Sequence, residues 1–207
     1  GIVYILGDVK MDALELIEKI DEIDILYEPI FSADQHIIVA YEAIPTISNA
    51  NNTINIVDVT YDASIPAEFR QEIELAVVRK TIERASTILK DVKIYLPCNP
   101  NLLMLDFGES YFELLTTSIS EEDLKNIVLV IPEHKFEGDF EQLHHAIRYI
   151  QTYDVKIALD QIGSESMLDQ ILMLEPAVLI INVRQLSYDA WGAQNHVFTT
   201  IQSLALK

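Results

Sequence analysis

Two short segments made almost entirely of apolar residues constrain the fold of this chain more than any other feature. They span residues 127–131 and 177–183. Strands with apolar side chains on both faces are typical of a parallel sheet covered by helices, because a strand with one solvated face would alternate apolar and polar residues. Segments with helical periodicity separate these strands from their neighbours. The alternation of buried strands and helices predicts an α/β fold with parallel strands.

Local patterns predict the remaining elements. Apolar residues at three-residue steps indicate an amphipathic helix over residues 11–23. Pro66 suits the start of a long helix over residues 65–90, because its missing amide hydrogen is not needed there, and Gly108 predicts a turn before a helix that ends near Ser118. Further helices are predicted from Ser120 and over residues 140–153, 166–174 and about 191–206. Further strands are predicted over residues 93–96 and 156–160, and residues 56–59 are interpreted as a short strand or an ordered loop.

The length and composition favour one globular domain. The chain has 207 residues, of which 50% are hydrophobic, and this is enough to bury a single core. No internal repeat or linker rich in proline and glycine divides it. We therefore expect one domain over residues 11–207, and we interpret residues 1–10, which precede Met11, as a leader or an upstream extension.

The charge excludes two classes of partner. The formal net charge is −19, so nucleic acids and anionic membranes would repel the chain, and no local cluster of Lys or Arg offsets this. Cys98 is the only cysteine and cannot form an internal disulfide. No signal peptide or apolar run of membrane-spanning length is present. The sequence predicts a cytoplasmic protein.

A single carboxylate in an apolar strand is the first candidate for a functional residue. Residues 26–47 contain two β-rich runs around a short polar turn, and the second run carries Glu42 among apolar neighbours. Burying an unpaired carboxylate is unfavourable unless it is paired or bound to a cation. Glu42 is therefore either a site residue or a residue at a strand end that faces water.

This region resembles the start of EAL domains, which are bacterial enzymes that hydrolyse cyclic di-GMP. In that family a Gln-Pro-Ile strand leads into a strand that ends in Glu-Ala-Leu, and this chain has Glu28-Pro29-Ile30 and Glu42-Ala43-Ile44. The resemblance extends to residue 207. It is strongest to the YkuI type of Gram-positive bacteria, particularly at residues 31–33, 101–106 and 136–139.

The resemblance implies a modified TIM-type (β/α) barrel with its ligands at the carboxyl ends of the strands. It also implies that catalysis in the family uses two divalent cations, held by carboxylates and an Asn, to activate water for attack on a phosphodiester. The family's last catalytic Glu has no counterpart before Lys207. We therefore expect a barrel that is incomplete at the C-terminal end.

Position by position, the resemblance retains two carboxylates of the site, Glu42 and Asp160. The other positions carry different chemistry: Pro97 stands where the family has its Asn, Val130 where it has a Glu, Gln161 where it has a second Asp, and Ile180 where it has a Lys. Apolar groups at such positions cannot coordinate a cation. We therefore expect no phosphodiesterase activity and no cofactor, with metal binding at most at Glu42 and Asp160.

The favoured hypothesis is a degenerate, non-catalytic signalling or scaffold domain that mediates protein–protein interaction or regulation. The alternatives are a cyclic di-GMP receptor and a residual phosphodiesterase that uses Mg or Mn. Any ligand would contact residues from this set: Glu28, Glu42, Thr46, Asn99, Glu133 and Asp160. The resemblance also implies a homodimer, and a partner protein or a fused regulatory domain. Tyr188 and Trp191 are candidates for an interface or for internal packing.

Overall fold

The computed structural model of this protein describes residues 3–6, 9–32, 35–48, 53–88, 92–104, 107–132, 136, 138–160 and 173–180. The strands are β1 (Val3–Leu6), β2 (Val9–Asp12), β3 (Asp24–Phe31), β4 (Ile38–Ser48), β5 (Thr53–Asn55), β6 (Lys93–Pro97), β7 (Ile127–Pro132), β8 (Lys156–Asp160) and β9 (Val178–Ile180). The α-helices are α1 (Ala13–Glu18), α2 (Ala67–Ile88), α3 (Pro100–Leu103), α4 (Phe107–Ser118), α5 (Glu121–Leu124) and α6 (Phe140–Gln151).

One large sheet organises the described residues. Its strands follow the order β3-β4-β6-β7-β8-β9, and β5 pairs with β4. β3 and β4 are antiparallel, whereas each pair from β4 and β6 onward is parallel. α2, α4 and α6 precede β6, β7 and β8 in the chain, which is the connection that parallel strands require. The predicted α/β fold with parallel strands is confirmed.

The two faces of the sheet bury separate apolar clusters. One cluster packs between the sheet and the helices and includes Leu96, Leu129 and Ile157. Because side chains alternate along a strand, the residues between them point to the opposite side, which we call the inner face. The cluster on the inner face contains Ala40, Tyr95, Val128, Val130 and Ala158. All residues of β7 are buried, as its apolar run predicts.

The helix predicted over residues 11–23 is shorter than expected. Residues 3–6 and 9–12 pair as an antiparallel hairpin, and Met11 lies in its second strand opposite Tyr4. The backbone of Met11 is therefore engaged in a strand, and α1 begins only at Ala13. After α1 the chain tightens into a 3-10 turn at Ile20–Glu22, and β3 follows directly.

Two other local predictions needed correction. Residues 57–59 belong to neither a strand nor a loop, because Val57–Tyr61 is a 3-10 helix that begins directly after Ile56. Gly108 does not end a turn but lies in the first turn of α4. A Cβ at this position would collide with the carbonyl oxygen of Leu103, so glycine lets α4 approach α3 closely.

Several predicted elements lie outside the described residues. These are residues 166–172 of the helix predicted over residues 166–174, the helix over about 191–206, the end of the strand at 181–183, and the interface candidates Tyr188 and Trp191. The helix predicted over residues 140–153 is present as α6 and ends at Gln151. None of the described helices combines the length and the apolar character needed to cross a bilayer.

Candidate functional site

The two carboxylates that the resemblance assigned to the site lie on the same face of the sheet. Glu42 follows Ala40 by two residues on β4, and Asp160 follows Ala158 by two residues on β8. Both alanines belong to the inner-face cluster. Because strand side chains repeat their direction every second residue, Glu42 and Asp160 also point to the inner face. Glu42 is not at a strand end, since β4 continues to Ser48.

Three apolar residues at the other site positions share this face. Pro97 pairs in register with Val130, and Asp160 pairs with Ile180. Val130 is only 6% exposed and packs in the inner-face cluster, against which Ile180 also packs. The inner face of these neighbouring strands therefore carries two carboxylates, Glu42 and Asp160, and three side chains without oxygen ligands.

An open pocket of about 290 Å³ lies at these strand ends. Its lining includes four carboxylates, contributed by Glu28, Glu42, Asp58 and Asp160. The described lining contains no Lys or Arg. The remaining residues are Ala43, Ile44, Asn55, Val57, Tyr61, Pro97, Cys98, Val130 and Pro132. The pocket is thus strongly acidic, in keeping with the net charge of the chain.

Like charges meet across the antiparallel pair of β3 and β4. Glu28 lies directly opposite Glu42 in the register of these strands. Partial burial raises the pKa of Glu42, and the negative charges of Asp160 and Glu28 raise it further. Glu42 therefore takes up a proton more readily than an isolated Glu does, and a cation among these carboxylates would relieve their repulsion.

The described side chains provide only part of a metal centre. Glu42 and Asp160 carry the carboxylate oxygens that Mg²⁺ and Ca²⁺ prefer. Within the described ranges, however, no three or more His, Cys, Asp or Glu side chains converge to form a group that could hold an ion. Apolar residues at positions 97, 130 and 180 add no ligand. The residues described here do not fit two closely held cations.

Asn99 forms hydrogen bonds within the local fold and does not line the pocket. It is 1% exposed and caps the N-terminus of α3, where its side-chain oxygen accepts a hydrogen bond of 3.0 Å from the backbone of Asn101. Its Nδ2 donates to the carbonyl oxygen of Thr60 at 2.7 Å. Its backbone amide donates to Oε1 of Glu74 at 3.0 Å. With these bonds and its burial, Asn99 is not among the described residues that line the pocket.

The remaining candidates fall into two groups. Thr46 is 3% exposed, and its hydroxyl donates to the carbonyl oxygen of Asp24 at 3.2 Å, so it does not line the pocket. Glu133 and Gln161 lie outside the described residues. The structure therefore brings together Glu28, Glu42 and Asp160 from the predicted set, and it separates Thr46 and Asn99 from them.

A buried carboxyl that the sequence did not reveal supports the wall of the pocket. Glu74 on α2 is 5% exposed, and burial raises its pKa to about 7 in spite of the hydrogen bonds from Asn99 and Thr60. The phenol of Tyr61 donates to the carbonyl oxygen of Cys98 at 3.3 Å. Glu74 and Tyr61 thus join α2 and the 3-10 helix to the turn that follows β6.

Sequence reasoning also missed Asn55, Asp58 and Tyr61. All three line the pocket, although they precede α2 and lie in no recognisable motif. β5 pairs with β4, with Asn55 opposite Thr46, and the 3-10 helix then continues from this edge. In the sequence, Asn55 and Asp58 could have been suspected because they are polar residues shortly after the strand that carries Glu42. Their position at the pocket, however, follows only from the pairing of β5 with β4.

Comparison with known proteins places this fold and pocket in a family. The model of the EAL domain matches residues 12–205. The EAL-domain-containing protein YkuI of Bacillus subtilis (strain 168) is 37% identical over 200 residues, which is 95% of this chain and 49% of YkuI. The chain therefore spans about half the length of this curated relative.

Solved structures agree with this assignment. The crystal structure of B. subtilis YkuI in complex with the substrate c-di-GMP and calcium has a TM-score of 0.83 and 37% identity, and the match covers 94% of this chain and 49% of that one. An EAL domain protein from Listeria monocytogenes EGD-e has a TM-score of 0.67 at 13% identity, covering 96% of this chain and 81% of the other. Klebsiella pneumoniae BlrP1 in a manganese and cyclic di-GMP complex has a TM-score of 0.69 at 16% identity, covering 88% and 47%.

The last two similarities concern the fold alone, whereas the family match and the YkuI similarity extend over nearly the whole chain. They agree with the parallel α/β fold of the described residues. This chain belongs to the EAL domain family.

Proposed function

We propose that this EAL domain has no phosphodiesterase activity and acts as a signalling or scaffold domain that mediates protein–protein interaction or regulation. One observation carries the proposal: Pro97 and Val130 occupy the inner face on the two strands between Glu42 and Asp160, and Ile180 lies on the next strand beyond Asp160. Hydrolysis through two metal ions needs oxygen ligands on each ion and a positioned water. Three apolar side chains at the strand ends supply neither.

The energetics of folding support the same proposal. Val130 is nearly fully buried beside Tyr95 and Ala158. Replacing buried charges by well-packed apolar groups removes desolvated charges that would need partners. A site with these apolar residues stabilises the fold, as a scaffold requires. The domain would then act through contacts that its surface makes with other proteins. We further propose a homodimer in the cytoplasm that works together with a partner protein or a fused regulatory domain.

The second candidate function is that of a cyclic di-GMP receptor. The observation that favours it is the YkuI structure, which is a complex with c-di-GMP and calcium. Four carboxylates line the pocket of this chain, so two phosphates would be repelled unless cations lie between them and the protein. Receptor function therefore requires binding that depends on a divalent cation. A residual phosphodiesterase using Mg or Mn is the third candidate, and it needs the same cations.

Isothermal titration with cyclic di-GMP, followed by analysis of the nucleotide products, separates these functions when it is performed with Mg²⁺, with Mn²⁺, with Ca²⁺ and with EDTA. The scaffold proposal expects no binding and no hydrolysis product under any of these conditions. Binding without hydrolysis that disappears in EDTA and in a Glu42→Gln variant would instead establish the receptor. Hydrolysis with Mg²⁺ or Mn²⁺ that the Glu42→Gln variant lacks would establish an enzyme and refute the proposal.

A further inference from the structure

A groove on the helical side of the domain has the composition of a protein-docking surface. It lies between α4 and α6, has a volume of about 900 Å³ and is lined by residues of both helices and of the end of α3. Its floor includes the buried Phe112 and the half-buried Met104 and Ala146. Such a groove has the shape that an amphipathic helix fills when it binds through its apolar face.

Exposed aromatic residues extend this floor toward solvent. The rings of Phe112 and Tyr149 are 5.8 Å apart, and those of Tyr149 and Tyr153 are 5.7 Å apart. Tyr149 is 50% exposed and Tyr153 is 37% exposed. A continuous row of rings that reaches from the core to the surface offers apolar contact area and ring faces for cations. Tyrosine is also a residue type that is enriched in interfaces.

The walls of the groove are acidic on both sides. Glu109 and Glu113 project from α4, and Asp139 and Glu141 come from the start of α6. The described lining includes no Lys or Arg, and none of the ion pairs identified among the described residues involves these four carboxylates. Glu109 and Glu113 are spaced four residues apart on one helix, where like charges destabilise the helix. A cationic occupant would relieve this repulsion.

We propose that the groove binds a basic amphipathic segment of a partner protein, with its apolar side chains against Phe112 and Tyr149 and its Lys or Arg side chains against the acidic walls. Charge complementarity identifies the occupant, since nucleic acids and anionic lipids are repelled. A second copy of this chain carries the same acidic walls and the same net charge of −19. The inference rests on the interaction role proposed above, but it uses the helical side of the sheet and not the inner-face pocket.

The test uses a fluorescein-labelled peptide of about 15 residues, with Leu and Lys placed to form an amphipathic helix, and a scrambled peptide of the same composition. Fluorescence anisotropy measures the affinity of the full chain for each peptide. The amphipathic peptide is expected to bind more tightly than the scrambled one. Replacing Tyr149 by Ala is expected to weaken binding about tenfold, because the residue would be an aromatic anchor.

A matched pair of charge variants separates the groove from general attraction to an acidic protein. The groove variant is E109Q/E113Q, and the control is E68Q/E72Q, which removes two exposed glutamates of the same spacing from α2. The groove variant is expected to weaken binding about fivefold, as two charges at an interface rim would. The control is expected to bind as the unmodified chain does.

Equal weakening by both pairs, equal affinity for both peptides or no binding would overturn the proposal. Unchanged affinity in the Tyr149→Ala variant, with its melting temperature preserved, would also overturn it. Concentration-dependent self-association in sedimentation that E109Q/E113Q abolishes would assign the groove to a second copy instead. Cyclic di-GMP hydrolysis by the same preparation would refute the proposed function and leave this inference intact, so the two failures are distinguishable.

Discussion

Glu42 lies on the inner face of the sheet between two other carboxylates, Glu28 and Asp160, and this arrangement decides how the site responds to charge. Glu28 is the cross-strand neighbour of Glu42. Burial is the largest cause of the raised pKa of Glu42, and the negative charges of Asp160 and Glu28 raise this pKa further. A residue in this position is a good cation ligand and an unfavourable neighbour when no cation is present. The same side chain can therefore weaken the fold and favour binding.

Replacing Glu42 by Gln is expected to raise the melting temperature by roughly 1–3 °C at pH 7 without divalent cations, because like charges on facing strands destabilise a sheet. The folded protein holds a proton on Glu42 more strongly than the unfolded chain does. The advantage of the variant should therefore shrink as the pH falls and vanish below the ordinary Glu pKa. Differential scanning calorimetry between pH 4 and 8 measures this. A lower melting temperature at pH 7 would contradict the repulsion.

Glu74 gives a stronger pH dependence because it is buried. Its pKa is raised from 4.5 to about 7, so the folded state binds a proton that the unfolded state releases between these values, and stability falls as the pH rises through this window. The cost at pH 8 is about 3 kcal/mol relative to pH 4.5. The Glu74→Gln variant lacks this titration, so its stability relative to the unmodified protein should improve by about that amount over the window.

Urea unfolding at several pH values measures the difference between the two proteins. The Glu68→Gln variant is the control, since Glu68 is an exposed residue of the same helix and should leave the pH dependence unchanged. Parallel stability curves for Glu74→Gln and the unmodified protein would mean that Glu74 does not titrate between pH 4.5 and 7.

At the scale of elements, the close packing of α4 on α3 depends on one glycine. The Cβ of any other residue at position 108 would meet the carbonyl oxygen of Leu103. In an exposed helix the change from Gly to Ala is stabilising. The contact with α3 reverses that expectation here, because a backbone oxygen cannot move away as a flexible side chain could.

The Gly108→Ala variant is therefore expected to lose about 1–3 kcal/mol of unfolding free energy, as overpacked sites do. Ser110→Ala serves as the control, since Ser110 is an exposed position on the same helix and should change stability by less than about 0.5 kcal/mol. Chemical denaturation of both variants measures the difference. Stabilisation by Gly108→Ala would show that α3 and α4 separate readily.

The elements also differ in how far local sequence determined them. β7 and β8 were predictable because their apolar runs have the length and pattern of buried strands. The N-terminal helix was overestimated because its apolar spacing continues through Met11, whose backbone pairs with Tyr4 instead. The 3-10 helix Val57–Tyr61 was missed because a short run of β-branched residues favours a strand locally.

At the scale of the whole molecule, the net charge of −19 makes stability depend on salt. Raising NaCl from about 10 to 150 mM should increase the melting temperature, because screening weakens the repulsion between exposed carboxylates. CaCl₂ at equal ionic strength separates screening from binding at the acidic pocket. An additional increase with CaCl₂ that Glu42→Gln reduces would locate a cation there, and equal effects of the two salts would indicate screening alone. A melting temperature that does not change with NaCl would contradict the role assigned to charge.

The sequence by itself determined the parallel α/β order, because the period of a strand and the apolar pattern are local properties, and its resemblance to EAL domains singled out Glu42 and Asp160. Only the tertiary structure decided that Glu28 faces Glu42, that Asp58 reaches the pocket through β5, and that Asn99 and Glu74 bond to each other beneath it. Those positions depend on contacts between residues far apart in the chain, which are fixed by how whole elements pack, and no local pattern records that packing.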